Sequence, residues 1–269
     1  MVSNQKANQK LALQYTSDEP WHNLNFDKTG MVTMDETANF ENVFVEGLPY
    51  RRKVAKNGKP LTEKKTASGE KRYEQTVDER RKMSTEDKRK GLHFTVDSSM
   101  PMCCLIALFE NQLARHELLD GRDTLVVESK PMPDAKPALE AEKSALNWKQ
   151  TTWIDAQETM PVRWEVEKLN DEGHMAKGTK LLFDYIRMVD LAAADGDPEQ
   201  AVWLQSNFIG HFRMKMLWTG FPGTTEQTWS NFKRFHVDMR FSEDTVQEIP
   251  KQGNNHEQTP NAQVLTVAK

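Results

Sequence analysis

Alternation of apolar and polar residues is the clearest pattern in the chain, and it occurs within three segments: residues 162–168, 202–218 and 229–241. The apolar residues on one side of these segments are Val162, Trp164, Val166, Phe208, Phe212, Met214, Met216, Trp218, Phe235, Val237, Met239 and Phe241. Arginine, glutamate, histidine, lysine and aspartate occupy most positions between them. A period of two predicts strands with one buried face and one solvated face.

Tight-turn sequences between further strand segments predict hairpins. Segments 114–119 and 124–129 flank Asp120-Gly121, and segments 151–155 and 162–168 flank a turn at 156–160. Residues 31–34, 42–46 and 50–56 are also β-rich, the last ending at Asn57-Gly58, and 179–188 is a further strand. Several such strands predict a large antiparallel sheet.

Three segments have helical character. Residues 4–15 predict a short helix, and residues 62–91 mix charges of both signs as an exposed helix does. Residues 98–109 predict a short buried helix, with Pro101 in its first turn. Residues 131–143 contain three prolines and predict a surface loop. The chain is therefore predicted to be α+β, with the helices at 4–15 and 98–109 covering the apolar face of the sheet.

Composition limits the classes of function. A net charge of −4 argues against a nucleic-acid-binding protein. The longest apolar cluster, residues 100–109, is about half the length of a membrane span. The first residues lack the apolar segment of a signal peptide, so the protein is either cytoplasmic or has had an export signal removed. Residues 1–249 are predicted to form one domain, and the polar residues 250–269 a disordered tail.

The sequence offers little for catalysis. Its two cysteines, Cys103 and Cys104, are adjacent, which is unfavourable for a disulfide and fits two small buried residues. The seven histidines show no metal-ligand spacing, and no nucleophile-elbow, Walker A or dinucleotide-binding motif occurs. We therefore predict no catalytic residues, no metal and no cofactor, and a binding protein instead of an enzyme.

Four sequence runs together resemble a known family. They are FVEGLPYRRKV at 44–54 with KNGKPL at 56–61, LDGR at 119–122 leading into LVVESKP at 125–131, WID at 153–155 with PVRWE at 161–165, and WSNFKRFHVD at 229–238. In this order they resemble the outer-membrane lipoprotein-sorting (LolA/LolB-like) proteins of the bacterial envelope. The runs describe strands and turns and contain no catalytic residue.

The resemblance implies an unclosed half-barrel whose concave apolar face is covered by helices. It also implies a periplasmic or cell-envelope location and a lipid, a lipoprotein acyl chain or an envelope protein as partner. Physical reasoning leaves two alternatives open, because apolar strand faces are more often plain core than ligand site, whereas the resemblance favours a cavity. The protein is either a carrier or sensor of an apolar ligand, or a protein-interaction scaffold with a filled core. In the first case the ligand-binding residues are Trp164, Phe208, Phe212, Met214, Met216, Phe235, Val237 and Met239.

Overall fold

A computed structural model describes residues 2–88, 108–137, 140–189, 201–216, 219–234 and 266–267. The helices are α1 (Val2–Ala12), α2 (Glu63–Lys82) and α3 (Glu140–Ala145). The strands are β1 (Tyr15–Phe26), β2 (Val32–Val45), β3 (Leu48–Lys56), β4 (Lys59–Pro60), β5 (Phe109–Leu119), β6 (Arg122–Pro131), β7 (Trp148–Asp155), β8 (Pro161–Lys168), β9 (Lys180–Val189), β10 (Ala201–Met216), β11 (Thr219–Thr228), β12 (Ser230–Arg234) and β13 (Thr266–Val267).

The strands belong to one antiparallel sheet, ordered β4-β3-β2-β1-β11-β10-β9-β8-β7-β6-β5, with β12 beside β1 and β13 beside β9. Nearly every neighbour is also a neighbour in sequence, as expected when short turns join antiparallel strands. The order begins at β4 and ends at β5, and these two strands do not pair in the described part of the chain. The predicted large antiparallel sheet is confirmed, and it is not closed.

Tight turns fix the register of the hairpins. Asn57-Gly58 and Asp120-Gly121 connect their strands with positive φ at both residues: 51° and 68° in the first pair, 50° and 80° in the second. A two-residue turn with this backbone suits the twist of adjacent strands, and Asn, Asp and Gly adopt it at low cost. Both turns lie where the sequence predicted them.

Partners across the sheet distinguish its two faces, because directly paired residues project from the same side. Trp164 pairs with Phe183, Phe183 with Phe208, Phe208 with Gln227, and Gln227 with Trp21. We call the side that carries these residues the aromatic face. The opposite side is the charged face.

Helix α2 lies on the charged face. Asp18 is three residues from Trp21 in β1 and so projects from the charged face; it pairs with Glu41, which pairs with Arg52. Tyr50, two residues before Arg52, makes an edge contact with Tyr73 of α2, with 5.5 Å between ring centroids. The helix has no buried residue and was predicted to be exposed.

Arg80 of α2 contacts the backbone of the β2–β3 hairpin, beside the ion pair of Arg81 with Glu46. The Arg80 guanidinium donates hydrogen bonds to the backbone carbonyl oxygens of Val45, Leu48 and Pro49, at 3.1, 2.7 and 2.9 Å. Burial lowers the pKa of Arg80. The contact satisfies backbone acceptors at the β2–β3 turn and places α2 away from the aromatic face.

Helix α1 packs at one end of the sheet. Leu11 and Ala12 contact a buried cluster that includes Tyr15, Val202 and Leu204. Residues 98–107, the other predicted cover, lie outside the described residues. The prediction that helices cover the apolar face is therefore not confirmed, and for α2 the contacts place the helix on the other side.

An ion-pair network connects β6, the end of β7, the β7–β8 turn and β9. The Asp155 carboxylate, 1% exposed, accepts hydrogen bonds from Arg122 Nε at 2.5 Å and from the backbone N–H groups of Gln157 and Glu158 at 3.0 and 2.7 Å. Burial alone would raise the pKa of Asp155, but these hydrogen bonds outweigh it and hold the pKa below its usual value. Arg187 donates to Glu158 at 2.6 Å.

Some elements differ from the sequence prediction. The helix predicted to 15 ends at Ala12, and β1 begins at Tyr15. Strand β11 was not predicted at all, and α3 lies partly within the predicted loop 131–143. The sequence Asp195-Gly196-Asp197-Pro198 predicts a turn, but it and most of the segment 235–269 lie outside the described residues. Of the tail, Thr266 and Val267 pair with β9.

Within the described residues, no helix combines the length and apolarity that a bilayer crossing requires.

Candidate functional site

Three strands bring aromatic rings together on the aromatic face. Trp164 of β8 stacks on Phe183 of β9, with ring centroids 5.0 Å apart and an interplanar angle of 25°. Phe183 meets Phe208 of β10 with centroids 5.0 Å apart and an angle of 48°. Offset and tilted arrangements of this kind are favourable contacts between rings. The register of β8, β9 and β10 therefore creates a row of three rings at right angles to the strands.

Gly210 lets a fourth ring, that of Phe212, join this row along β10. A Cβ atom at Gly210 would lie 2.4 Å from the Phe212 ring and 3.1 Å from the Phe208 ring. Because glycine has no Cβ, the two rings can lie over its backbone. We call Trp164, Phe183, Phe208 and Phe212 the aromatic stripe.

Exposure increases from one end of the stripe to the other. Trp164 is buried, whereas Phe183, Phe208 and Phe212 are half-buried. Met214, two residues further along β10, is 38% exposed. The stripe therefore begins in the core and reaches accessible surface towards the Met214 end of β10.

Polar groups of the stripe's buried end are satisfied within the protein. The Trp164 indole N–H donates to Gln150 Oε1 at 3.1 Å, and Gln150 is itself buried. This hydrogen bond holds the indole in the orientation that stacks on Phe183. The Trp164 side chain therefore has a fixed orientation at the buried end of the stripe.

Tyr185 follows Phe183 along β9 on the aromatic face. Burial raises the pKa of Tyr185 to about 12, and the negative charge of Asp184 adds to this rise. The phenol therefore stays protonated at physiological pH and can donate a hydrogen bond.

The charged face of the same strands has the opposite chemistry. Arg163 forms an ion pair with Asp184 at 2.6 Å, and Lys149 forms one with Glu167 at 2.9 Å. The hydrogen bond from Lys149 lowers the pKa of Glu167, so this carboxylate stays ionised. At the level of Trp164 and Phe183, one side of β8 and β9 thus carries ion pairs and the other carries rings. Further along β9 and β10, the charged face also carries the buried apolar residues Met188, Val202 and Leu204.

The structure describes only part of the predicted ligand site. It places Trp164, Phe208, Phe212 and Met214 on the aromatic face, as the alternation predicted. Met216 lies in β10, but its side chain is outside the described part. Phe235, Val237 and Met239 also fall outside the described residues, so their place in the site stays a prediction.

Phe183 and Tyr185 were missing from the predicted site. Their strand reads KLLFDYIRMV, with apolar residues on both faces, so its periodicity does not single out one side. Only the pairing of β9 with β8 and β10 shows that Phe183 lies between two predicted site residues.

The described residues contain no group of three or more His, Cys, Asp or Glu side chains arranged to hold a metal ion.

Comparison with known proteins gives structural matches alone. No family model matches the sequence, and no curated protein does. An outer-membrane lipoprotein-sorting protein domain from Vibrio parahaemolyticus matches at 12% identity over 89% of this chain and 93% of that one, with a TM-score of 0.36. A DUF1329 family protein from Desulfovibrio piger matches at 13% identity over 88% and 95%, with a TM-score of 0.31.

A third match is a LolA superfamily protein from Nitrosomonas europaea, at 11% identity over 87% of this chain and 93% of that one, with a TM-score of 0.28. The family that the sequence runs resemble is thus found again among solved structures.

Proposed function

We propose that the aromatic face of β8–β10 binds an apolar ligand, a lipid or a lipoprotein acyl chain, and that the protein acts in the cell envelope as a carrier or sensor without turnover. The observation that carries this proposal is the aromatic stripe, whose rings share one face and become more accessible along β10. The envelope location follows the family resemblance of the sequence.

The dimensions of the stripe suit a chain-like ligand. Residues 208–214 span six residue steps of an extended strand, which is about 20 Å. Phe208, Phe212 and Met214 alternate along this length on one side of β10. Each methylene group that leaves water against such a surface contributes about 0.8 kcal/mol, so an acyl chain gains affinity along the whole strip.

Phe208 and Ile209 provide a matched pair of positions for testing the proposal. They are consecutive, half-buried and on opposite faces of β10, since Phe208 pairs with Phe183 and Ile209 pairs with Leu182. We expect Phe208→Gln to weaken binding of a fluorescent fatty acid by about 10-fold or more, because it removes an apolar contact worth about 1.5–3 kcal/mol. Ile209→Gln should change the affinity by less than about 2-fold.

Fluorescence titration of both variants measures this difference, with thermal unfolding to show that each is folded. Native mass spectrometry of the purified wild-type protein should also detect co-purifying lipid. An apo mass without lipid, together with no uptake of the fluorescent fatty acid, would contradict the proposal. That result would favour the alternative, a protein-interaction scaffold whose sheet is filled by its own side chains.

A further inference from the structure

Two polar side chains stand side by side at the edge of the aromatic stripe. Tyr185 and Gln205 are direct partners across β9 and β10. Tyr185 lies two residues beyond Phe183, so it projects from the same face at a Cα separation of about 6–7 Å. The pair therefore adjoins the Phe183–Phe208 contact.

Neither of these side chains has a hydrogen-bond partner among the described residues, nor do they bond to each other. Tyr185 packs against a core cluster that includes Val162 and Trp203. The nearest charged group along β9 on this face, Arg187, is already paired with Glu158 at 2.6 Å. Polar groups removed from water in a folded protein usually find a partner, and a tyrosine hydroxyl is no exception. Two adjacent half-buried polar groups without a partner among the described residues are therefore open to bonding with water or with a ligand.

The two groups remain reachable from outside the protein. In the described part of the chain, Gln5 Oε1 is the one fully sealed side-chain oxygen or nitrogen that lacks a partner. The Tyr185 hydroxyl and the Gln205 amide are not sealed, and both side chains are half-buried. Protein surrounds the Tyr185 phenol closely enough to desolvate it. Tyr185 is thus half-buried, with its hydroxyl open to a molecule from outside the protein.

We propose that Tyr185 and Gln205 form the polar end of the apolar site and donate hydrogen bonds to the carbonyl oxygen of an acyl ligand. The chain of that ligand lies over Phe183 and Phe208. This inference rests on the proposed function and adds the ligand's chemical class, an oxygen-bearing acyl compound. Because both donors are neutral, the carbonyl of an ester and that of a fatty acid are equally suitable acceptors.

The test uses the full-length protein and three probes of equal chain length: palmitic acid, methyl palmitate and hexadecane. The affinity of each probe is measured by its displacement of the fluorescent fatty acid from three proteins: the wild type, Tyr185→Phe and Gln205→Met. We expect each variant to bind the acid and the ester about 5–20-fold more weakly and hexadecane within about 2-fold of wild type, since one hydrogen bond to a half-buried donor is removed. Tyr50→Phe, on the charged face, is the matched control.

Thermal unfolding separates a binding role from a structural one. Because the Tyr185 hydroxyl has no partner to lose among the described residues, Tyr185→Phe should leave the melting temperature unchanged or raise it. A loss of affinity for the acid alone, or for the ester alone, would also support the inference. It would show whether the bound carbonyl belongs to a free fatty acid or to an ester.

Equal effects on all three probes, or no effect on any, would overturn the inference and leave the proposed function standing. Failure of wild-type protein to bind any probe would overturn the proposed function, and the inference with it.

Discussion

Trp164→Ala is expected to lower the free energy of unfolding by about 3–5 kcal/mol, the usual cost of truncating a buried aromatic residue. Two losses combine here. The variant leaves a cavity where the indole stacks on Phe183, and it deprives the buried Gln150 side chain of its donor. Urea denaturation measures the change, and the unfolding midpoint should shift without a large change in the denaturant slope.

Trp164→Phe distinguishes the two losses. It keeps a ring against Phe183 but removes the indole N–H, so we expect a smaller cost of about 1–2 kcal/mol. If Trp164→Ala were no more costly than Trp164→Phe, the stacked ring would contribute nothing, and the buried end of the stripe would be wrongly described.

Asp155→Asn is expected to lower the free energy of unfolding by about 2–3 kcal/mol. The substitution preserves size but removes the charge that pairs with Arg122, whose other carboxylate neighbour, Glu158, is 3.6 Å away. The exposed Asp134 provides a control, and Asp134→Asn should change stability by less than about 0.5 kcal/mol.

The difference between wild type and Asp155→Asn should depend on pH in one direction. Because the folded-state pKa of Asp155 lies below its unfolded value of 3.8, its contribution is present above that pH and is lost as the pH falls through the folded pKa. Urea denaturation at pH 7 and near pH 3 measures the change. A difference that grew in acid would show that the Arg122 pair does not stabilise the fold.

Sequence reasoning predicted those parts of the fold that local chemistry specifies. The turn pairs Asn57-Gly58 and Asp120-Gly121 require positive φ at both residues, and few sequences accept that backbone. Strand β8 was evident because Val162, Trp164 and Val166 alternate with charged residues, and charged side chains in a half-buried strand can project only towards water.

The sequence did not predict strands whose conformation depends on pairing with neighbouring strands. Strand β11 has the sequence TGFPGTTEQT, whose glycines and proline disfavour a strand, yet it lies between β1 and β10 near the middle of the sheet. Strand β1 contains Pro20 and several polar residues and is likewise paired on both sides. Partners distant in sequence decide the conformation of such segments, and a local pattern does not reveal them.

The candidate site shows the same division. Alternation identified Trp164 and Phe208, but their common neighbour Phe183 comes from a strand that is apolar on both faces. The pair of Tyr185 and Gln205 was even harder to predict from the sequence, because the two residues become neighbours only through the register of β9 with β10. That register includes a bulge between Gln205 and Asn207, which period-two reasoning does not anticipate.

Photolabelling tests most directly whether the aromatic face holds the ligand. A fatty acid with a diazirine in its chain is bound, irradiated and mapped on the protein by peptide mass spectrometry, with urea-unfolded protein as the control. We predict adducts on Phe183, Phe208 and Phe212. Adducts confined to charged-face residues such as Leu182 and Ile209, or labelling no stronger than in the unfolded control, would contradict a binding site on the aromatic face.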